Sequence, residues 1–428
     1  MNYEHHHKFC GKNRRRICFK TDKSYECPTQ HNSNKETTRY SFMPMKTAIL
    51  SALQQALTAF TGYPALRQAL SNEQTPTHVL AIGKAAYRMA EVAAMTIPPD
   101  RLRSCIVLSK YGFYPEDHQD RTFSPILLEA GHPLPDANSL KHSRFILDWL
   151  EQIPPQDQLI VLLSGGTSAL FEAPRDQISL QELIAKNDLL LRSGLDIAQI
   201  NQARQKLSQV KAGQATQHYK GQKLRVYLLS DVPANDPALI GSGPFFLPGI
   251  DNHSIIADNS AFLKSLATPL HKALPDLPLR LAKRFVDEEL TSFAKALARF
   301  APKAPPGIYL WGGELTLKVK GTGRGGRLTH LALSFLNELK DQAGLSFVAF
   351  ATDGNDHLPE LAGAYVDRQS YLDLHKENAD IPALLKAFDS YPPLKLIDAI
   401  IPAHYTGCNV NDVFILIKTA HHGTCLSP

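Results

Sequence analysis

The chain has 428 residues, a length that favours two domains over a single core. Hydrophobic residues make up 43% of it and charged residues 20%, which is typical of a globular protein and excludes a disordered one. Apolar runs such as Leu159–Leu163 and Val413–Ile417 are far shorter than the ~20 residues that span a bilayer, so no membrane helix is expected.

The net charge of +5 comes from residues 1–45, which contain nine Lys and Arg against four Asp and Glu. The remaining 37 basic and 37 acidic residues balance, and this argues against a nucleic-acid partner. The first 45 residues also lack the apolar region of a secretory signal. Six cysteines in so long a chain make no disulfide framework, so a cytoplasmic location is expected.

Residues 1–44 are low in apolar side chains and show neither helical nor strand periodicity. Their histidines and cysteines match no zinc-ligand spacing. We interpret the segment as a disordered leader or as the product of a start codon set too early, in which case translation begins at Met43 or Met45.

From Met45 onward, the sequence predicts strands that alternate with helices. This pattern is typical of a mostly parallel sheet covered on both faces, which binds ligands at the carboxyl ends of its strands. The Pro-rich stretch Ala301–Gly307 favours a linker between two domains with a cleft between them. The predicted elements are a helix from Met45 to Gly62, the strand His78–Ile82, the helix Ala85–Met95, the strands Cys105–Ser109 and Ile126–Ala130, the helix Ser139–Leu150, the strand Leu159–Leu163, the helix Asp196–Ala212, the strand Val226–Ser230, helices with Pro-rich joints over Ala261–Phe300, the strands Ile308–Leu310 and Leu315–Lys320, the helix Leu328–Leu339 and the strand Ser346–Ala351.

The turn Gly321–Arg327 carries the pattern Gly-x-Gly-x-x-Gly between a predicted strand and a predicted helix. Free amides at a helix N-terminus attract phosphate, and Arg324 and Arg327 add positive charge there. The alternative is a glycine-rich turn with solvated arginines. The residues expected to contact phosphate are Gly323, Gly325 and Gly326.

The turn that follows the strand Leu159–Leu163 is a second candidate for phosphate binding, because its small residues allow close approach of a ligand to the backbone. No Gly-Lys-Ser/Thr follows, so it is not a Walker A loop, and it lacks the final glycine of a serine-hydrolase elbow. The alternative is a tight turn that is small only for packing. Its residues are Ser164, Gly165, Gly166, Thr167 and Ser168.

Single charged residues also follow predicted strands. Lys84 follows the first one, where it either points toward the ligand crevice or is a solvated surface lysine. Asp231, Asp236 and Asp353 lie in comparable turns, where carboxylates hold Mg²⁺ beside phosphate oxygens. Their alternative role is to cap turns or helices. His132 lies in a stiff Pro-rich turn, and we interpret its role as structural rather than as that of a ligand or base.

The predicted helix Asp196–Ala212 presents an apolar stripe and is expected to end at Gly213. Its polar residues are interpreted mainly as a solvated face, with one or two of them reaching the cleft. They are Asn201, Arg204, Lys206 and Lys211.

Taken in order, the motifs of this chain resemble those of the glycerate 2-kinase family, whose C-terminal half is called the MOFRL domain. The match runs from about residue 48 to residue 418. The motifs are Ala81-Ile-Gly-Lys-Ala-Ala86, Gly131-His-Pro-Leu-Pro-Asp-Ala-Asn-Ser-Leu140, Leu163-Ser-Gly-Gly-Thr-Ser-Ala-Leu170, Ile200-Asn-Gln-Ala-Arg-Gln-Lys-Leu-Ser208, Leu229-Ser-Asp-Val-Pro-Ala-Asn-Asp-Pro237, Gly241-Ser-Gly-Pro244, Gly312-Gly-Glu-Leu-Thr316, Gly323-Arg-Gly-Gly-Arg327, Thr352-Asp-Gly354 and Thr406-Gly-Cys-Asn-Val-Asn-Asp412.

The resemblance implies an α/β fold with an N-terminal Rossmann-like parallel sheet, a smaller C-terminal α/β MOFRL domain and an active site in the cleft. It implies a kinase domain over residues 45–300, the MOFRL domain over 301–418 and a short tail over 419–428. The implied reaction is transfer of the ATP γ-phosphoryl group to the 2-hydroxyl of D-glycerate with Mg²⁺, by a monomer or homodimer. The family's catalytic lysine and arginine fall on Lys84 and Arg327, which we expect to face each other across the cleft.

Two other functions compete with this one. The Gly-x-Gly-x-x-Gly pattern fits an NAD(P)-dependent hydroxypyruvate reductase, a name that members of the family have also carried. Against it, no acidic residue stands about 20 residues further on, at the tip of the next strand, and no hydride-transfer set is evident. The other alternative is a non-catalytic relative that binds a ligand.

Overall fold

A computed structural model describes residues 44–175, 177–192 and 197–420 of the chain. The predicted leader and tail lie almost wholly outside these residues. In the described part, the helices are α1 Met45–Phe60, α2 Pro64–Leu70, α3 Ala86–Thr96, α4 Ala137–Gln152, α5 Thr167–Leu170, α6 Leu180–Arg192, α7 Ile197–Leu207, α8 Asn259–Ala273, α9 Leu290–Phe300, α10 Arg327–Leu339, α11 Arg368–Lys376, α12 Ile381–Ala387 and α13 Tyr391–Leu396. The strands are β1 Thr77–Ile82, β2 Leu102–Lys110, β3 Ile126–Ala130, β4 Gln158–Leu163, β5 Lys223–Leu229, β6 His253–Ala257, β7 Leu279–Leu281, β8 Gly307–Gly313, β9 Leu345–Ala351, β10 Leu361–Asp367, β11 Ile400–Pro402 and β12 Asp412–Lys418. None of the described helices combines the length and apolar character needed to cross a membrane.

The first sheet has six strands in the order β3-β2-β1-β4-β5-β6, and every neighbouring pair is parallel. This confirms the predicted parallel, Rossmann-like sheet of the N-terminal half. The strand order reverses between β1 and β4, and in open α/β sheets the crevice at such a reversal is where ligands bind. The chain leaves β1 at Gly83 and β4 at Ser164, so both turns lie at this crevice.

The second sheet has the order β11-β10-β9-β12-β8-β7, and most of its pairs are antiparallel. The expectation of a mostly parallel sheet is wrong for this half of the chain, because β12 pairs in antiparallel fashion between β8 and β9 and comes from near the end of the described residues. The predicted strand Leu315–Lys320 is also absent: only Thr316 makes an isolated bridge, to Glu289. Sequence periodicity does not reveal which distant strand will pair with which.

The two sheets share a helical layer that lies between them. Alternate residues of β1, such as Val79, and of β12, such as Ile415, belong to one apolar core with α1, α3 and α8. The outer face of the first sheet packs on α4, and the outer face of the second packs on α9 and α10. Because the two halves share this core, the ends of their strands are held in fixed relation.

The second sheet begins before residue 301. Strand β7 pairs in parallel with β8, and α9 packs against α10. The stretch 301–307, which the sequence suggests as a linker, contributes Ala301 and Ala304 to the core of the second half.

The helix predicted over residues 196–212 also differs, since α7 ends at Leu207 and the chain then turns through Gly213, whose φ of 79° favours glycine.

Candidate active site

The first side of the site is formed where β1 and β4 end. The amide of Lys84 donates to the carbonyl of Gly165 over 2.9 Å, which ties the two turns together. Gly83 has a φ of +125°, and a side chain there would collide with Ser164. The sequence therefore needs glycine at this point to bring the β1 turn against the β4 turn and to carry Lys84 into the crevice.

A third turn, after β5, brings Asp231 to the same place. A Cβ on Gly165 would collide with the Asp231 carboxylate and with the side-chain amide of Asn409. Gly165 therefore allows the two side chains to pack directly on the backbone of the β4 turn. The Nδ2 atom of Asn409 is buried and has no hydrogen-bond partner of good geometry among the described residues.

The second side of the site comes from the edge of the second sheet. Asp412 begins β12 and lies opposite Gly313 at the end of β8 and Ala351 at the end of β9. Glu314 and Asp353 follow these two strands, so three carboxylates stand at one sheet edge. The edge is anchored to the N-terminal half by contacts such as the hydrogen bond from Asn259, in α8, to the carbonyl of Val410 (2.6 Å).

Lys84 crosses between the two halves. Its Nζ lies 2.6 Å from Oδ2 of Asp353, and both side chains are largely buried. Burial alone would lower the pKa of the Lys84 ammonium, but Asp353, with smaller contributions from Asp231 and Glu314, outweighs it and raises the pKa above its usual value. Lys84 is therefore a fixed cation at neutral pH.

Arg327 is the second cation that reaches this group of carboxylates. Its guanidinium lies 3.1 Å from Glu314 and 3.2 Å from Asp412. The charge of Asp412 raises the pKa of Arg327 above its ordinary value, whereas burial raises the pKa of Asp412 itself. Lys84 and Arg327 come from different halves of the chain, and both interact with Glu314. We call Lys84, Arg327, Glu314, Asp353 and Asp412 the ionic cluster.

The space beside each glycine that precedes Arg327 is occupied by other parts of the protein. A Cβ on Gly321 or Gly323 would collide with the carbonyl of Ala387. A Cβ on Gly325 would collide with Ser390, and one on Gly326 with Asp356. Phosphate binding at Gly323, Gly325 and Gly326 stays a prediction, and their described contacts give them a packing role.

The amides at the start of α10 are also engaged. Oδ2 of Asp356 accepts from the amides of Leu328 (2.9 Å) and Thr329 (3.4 Å). Arg324, the other arginine of this turn, pairs with Glu360 over 2.8 Å and is well exposed. The two arginines that the sequence treats alike therefore have different surroundings.

The β4 turn is arranged differently. The hydroxyl of Thr167 donates to the carbonyls of Ile82 and Ser164, so it serves the turn itself, and Ser164 receives the amide of Ala85. The turn ends in an open cleft, where the hydroxyl of Ser168 lies 2.9 Å from that of Ser242.

Gly166 lines the same cleft. It has a φ of +91°, and a Cβ there would lie 3.2 Å from the ring of His132 and 3.3 Å from Cγ of Lys84. Burial and the charges of Lys84 and Lys110 lower the pKa of His132 to about 4, so its ring is neutral. Gly166 therefore lies where the cleft approaches Lys84 of the ionic cluster.

The three predicted metal ligands are not brought together. Asp231 and Asp353 both lie close to Lys84, but the carboxylate of Asp236 accepts from the amide of Ala238 in its own turn. In the part of the chain that the structure describes, no group of three or more His, Cys, Asp or Glu side chains is arranged to hold a metal ion.

Two carboxylates are nevertheless enough for a magnesium site, because Mg²⁺ is usually bound by one or two carboxylates with water and substrate phosphates. Burial raises the pKa of Asp231 to about 6 even though Lys84 opposes the shift. A buried carboxylate whose charge is incompletely compensated fits a cation. The prediction that Asp231, Asp236 and Asp353 bind Mg²⁺ stays a prediction, and the two that lie close to Lys84 are Asp231 and Asp353.

Several residues of the site carried no role in the sequence analysis. Glu314, Asn409 and Asp412 lie in recognised motifs, and Lys110 ends β2 and donates to Asn355 over 3.1 Å. The same reasoning that selected Lys84, a polar residue directly after a buried strand, would have selected Glu314. Asn409 precedes β12 and Asp412 begins it, so that reasoning misses them until the antiparallel position of β12 is known.

Lys211 is one of the residues that reach a cleft, as the sequence allows for one or two of the four polar residues. Its side chain is only 3% exposed and pairs with the equally buried Glu172. It also donates to the carbonyl of Ser168 over 3.0 Å. Arg204 reaches the same cleft, as does Glu172 itself. The polar side of the 196–212 segment therefore faces a pocket rather than solvent at these positions.

The chain resembles known proteins over most of its length. Residues 48–271 match the family model described as a domain of unknown function, DUF4147, and residues 307–412 match the MOFRL family. A D-glycerate 2-kinase from Thermotoga maritima is 32% identical over 79% of this chain and 89% of that protein. A protein from Agrobacterium vitis, named a putative hydroxypyruvate reductase, is 30% identical over 78% of this chain and 85% of its own length.

A solved structure has the same fold. The crystal structure of a glycerate kinase from Thermotoga maritima matches with a TM-score of 0.77 and 28% identity, over 88% of this chain and 99% of that one. The match covers both halves of the molecule, so the arrangement of the two sheets is shared with that enzyme.

Proposed function

This chain belongs to the glycerate 2-kinase family, with its DUF4147 and MOFRL domains, and we propose that it transfers the γ-phosphoryl group of ATP to the 2-hydroxyl of D-glycerate. The observation that carries the proposal is the meeting of Lys84 and Arg327, from opposite halves of the chain, at one group of carboxylates. In the reaction the glycerate oxygen forms a bond to the γ-phosphorus, the bond to the β–γ bridging oxygen breaks, the hydroxyl proton is released and ADP leaves.

Phosphoryl transfer is catalysed mainly by positioning and by neutralising charge on the transferred group. Lys84 and Arg327 supply two fixed cations for this purpose. In the described structure their charges are balanced by Asp353, Glu314 and Asp412. We infer that these carboxylates keep the two cations in place without a substrate. When ATP binds, phosphate oxygens replace part of these contacts.

The backbone of the β4 turn, at Gly165 and Gly166, is the surface beside Lys84 on which we propose the terminal phosphates lie. Asp231 and Asp353 would hold Mg²⁺ together with the phosphate oxygens. When bound, Mg²⁺ neutralises charge on those oxygens. The protein's own part is to keep two carboxylates close to a lysine, so that cation and phosphate are aligned before the reaction.

Hydroxypyruvate reduction is the second candidate, because a relative carries that name. The amides at the start of α10, where a dinucleotide pyrophosphate would bind, are bonded to Asp356. This observation favours the kinase.

The test is to supply the purified protein with D-glycerate, ATP and Mg²⁺ and to follow ADP release, and separately to supply hydroxypyruvate with NADH or NADPH. We expect ADP only, loss of the activity on removal of Mg²⁺ with a chelator, and a ³¹P spectrum of the product that matches 2-phosphoglycerate. Nucleotide oxidation without ADP would reject the kinase, and a 3-phosphoglycerate spectrum would reject the assignment of the hydroxyl.

A further inference from the structure

Beside the ionic cluster lies a cleft of about 200 Å³ that belongs entirely to the N-terminal half. It is smaller than the roughly 300–1,000 Å³ of pockets for drug-sized ligands, so it suits a small molecule. Gly166 and His132 form its wall toward Lys84. The charged side chains that line it are Glu172, Arg204 and Lys211.

One buried atom of this cleft lacks a partner. Oε2 of Glu172 pairs with Lys211, but Oε1 is buried and accepts no hydrogen bond from the described residues. A buried carboxylate oxygen without a donor is costly, and it repels another anion. It is suited to a ligand that presents a hydroxyl group.

The cations of the cleft exceed its anions by one. Lys211 is neutralised by Glu172, and Arg204 donates from Nε to Asn187 over 3.2 Å. His132 adds no charge because its pKa is lowered to about 4. A net charge of one suits a carboxylate monoanion better than a triphosphate, and a guanidinium binds carboxylates well.

We propose that this cleft is the acceptor subsite for a small hydroxy-carboxylate, with Arg204 binding the carboxylate and Oε1 of Glu172 accepting from the hydroxyl that is not phosphorylated. The assignment rests on the proposed kinase function. It places the acceptor next to Gly166, with the hydroxyl to be phosphorylated directed toward Lys84 and the terminal phosphates of ATP. For D-glycerate the hydroxyl on Glu172 is the 3-hydroxyl.

The first test compares Arg204→Gln with Arg175→Gln. Arg175 lies outside the cleft and is exposed, where it bonds to Lys206 and Gln214, so the control removes the same charge nearby. We expect Arg204→Gln to raise the KM for glycerate about 10- to 100-fold. The KM for ATP should stay within about threefold, and Arg175→Gln should leave both unchanged. If the KM for ATP rises instead, the cleft belongs to the nucleotide and the proposal is overturned.

The second test uses D-lactate, which is D-glycerate without the 3-hydroxyl. Because a site built to bind a hydroxyl rejects an analogue that lacks it, we expect kcat/KM for D-lactate to be at least about 10³-fold lower than for D-glycerate. Replacing the ion pair as a unit, in Glu172→Met/Lys211→Met, preserves volume and charge balance and is expected to fold. This double variant should reduce the preference to about tenfold or less. An unchanged preference would show that Glu172 does not contact the hydroxyl.

Calorimetric titration of D-glycerate into the full chain without ATP distinguishes failure of the proposed subsite from failure of the proposed kinase function. Binding that Arg204→Gln weakens, without any ADP release in the kinase assay, would keep the subsite and reject the kinase. Activity with unaltered glycerate binding in Arg204→Gln would keep the kinase and reject the subsite.

Discussion

The β4 turn at residues 164–168 and the turn at residues 321–327 both lie next to the ionic cluster, but their glycines face different surroundings. In the first, Gly166 borders an open cleft. In the second, Gly321 and Gly323 are pressed against the backbone of Ala387, and Gly326 against Asp356. In both turns glycine leaves room for close contact with the backbone. In the first turn this room adjoins an open cleft, and in the second it is occupied by other protein segments.

The two turns therefore have different roles. The β4 turn is suited to contact ligands directly, because part of its surface is open beside Lys84. The second turn acts through Arg327, which its packing holds at the start of α10 and within reach of Glu314 and Asp412. Substitutions can break this contrast: changes at Arg327 and at the glycines of the first turn should affect catalysis, whereas changes at the glycines of the second turn should affect stability.

Removing the cation that the second turn delivers should have the largest effect. We expect Arg327→Ala to lower kcat about 10³-fold, because a cation on the transferred phosphoryl group contributes that much in related chemistry. Arg324→Ala is the matched control: it removes an exposed arginine from the same turn and should change kcat less than about threefold. Steady-state kinetics measure both, and equal losses would remove the distinction between the two arginines.

A methyl group on the β4 turn should have the next largest effect. Gly166→Ala must adopt a φ of +91° and push against His132 and the stem of Lys84. A displacement of catalytic groups by about 1 Å costs on the order of 10²-fold in rate, so we expect that loss in kcat. Thermal denaturation should show a folded protein with a lowered Tm. Full activity in Gly166→Ala would mean that the turn does not adjoin the reacting groups.

The same change in the second turn should act on stability. The Cβ of Gly323→Ala would collide with Ala387 and Asp389, and overpacking of this kind costs about 1–3 kcal/mol. We expect the free energy of unfolding in urea to fall by that amount, while the KM for ATP stays within about threefold in the folded protein. A KM for ATP that rises more than about tenfold would instead support phosphate binding at Gly323.

Much of the first half was predictable from local sequence. The predicted strands ending at Ile82, Ala130 and Leu163 are present within a few residues of their expected bounds, because buried parallel strands read as short apolar runs between turn residues. In the second half, the place of β12 between β8 and β9 depends on contacts between residues about 60 to 110 positions apart. No local pattern contains that information.

The candidate site divides in the same way. Lys84, Asp231 and Asp353 were predictable, because each directly follows a buried strand whose end is easy to locate. Which of the polar residues near Gly213 would reach a cleft was not predictable, since a lysine in a polar stretch, such as Lys211, gives no sign that a distant Glu172 is buried beside it. Partners far apart in sequence decide whether a charged residue faces solvent or a pocket.

The smallest expected effect concerns Asp356, whose carboxylate packs against Gly326 in the second turn. Burial raises the pKa of Asp356 to about 6, against the hydrogen bonds from Leu328 and Thr329 that lower it. A carboxyl whose pKa is higher in the folded than in the unfolded chain stabilises the fold fully below the unfolded value, near 3.8, and loses that contribution as pH rises through 6. Asp356→Asn keeps an acceptor for the helix amides but cannot ionise.

Urea unfolding of both proteins between pH 4 and pH 7 measures this contribution. Since the amide side chain of the variant does not titrate, the stability of Asp356→Asn relative to the parent should rise across this range, by on the order of 2 kcal/mol. Other titrating groups, among them Asp231 and His132, are common to both proteins and cancel in the difference. A difference that is flat with pH would mean that Asp356 stays ionised throughout, held by the amides of α10 as a fixed anion.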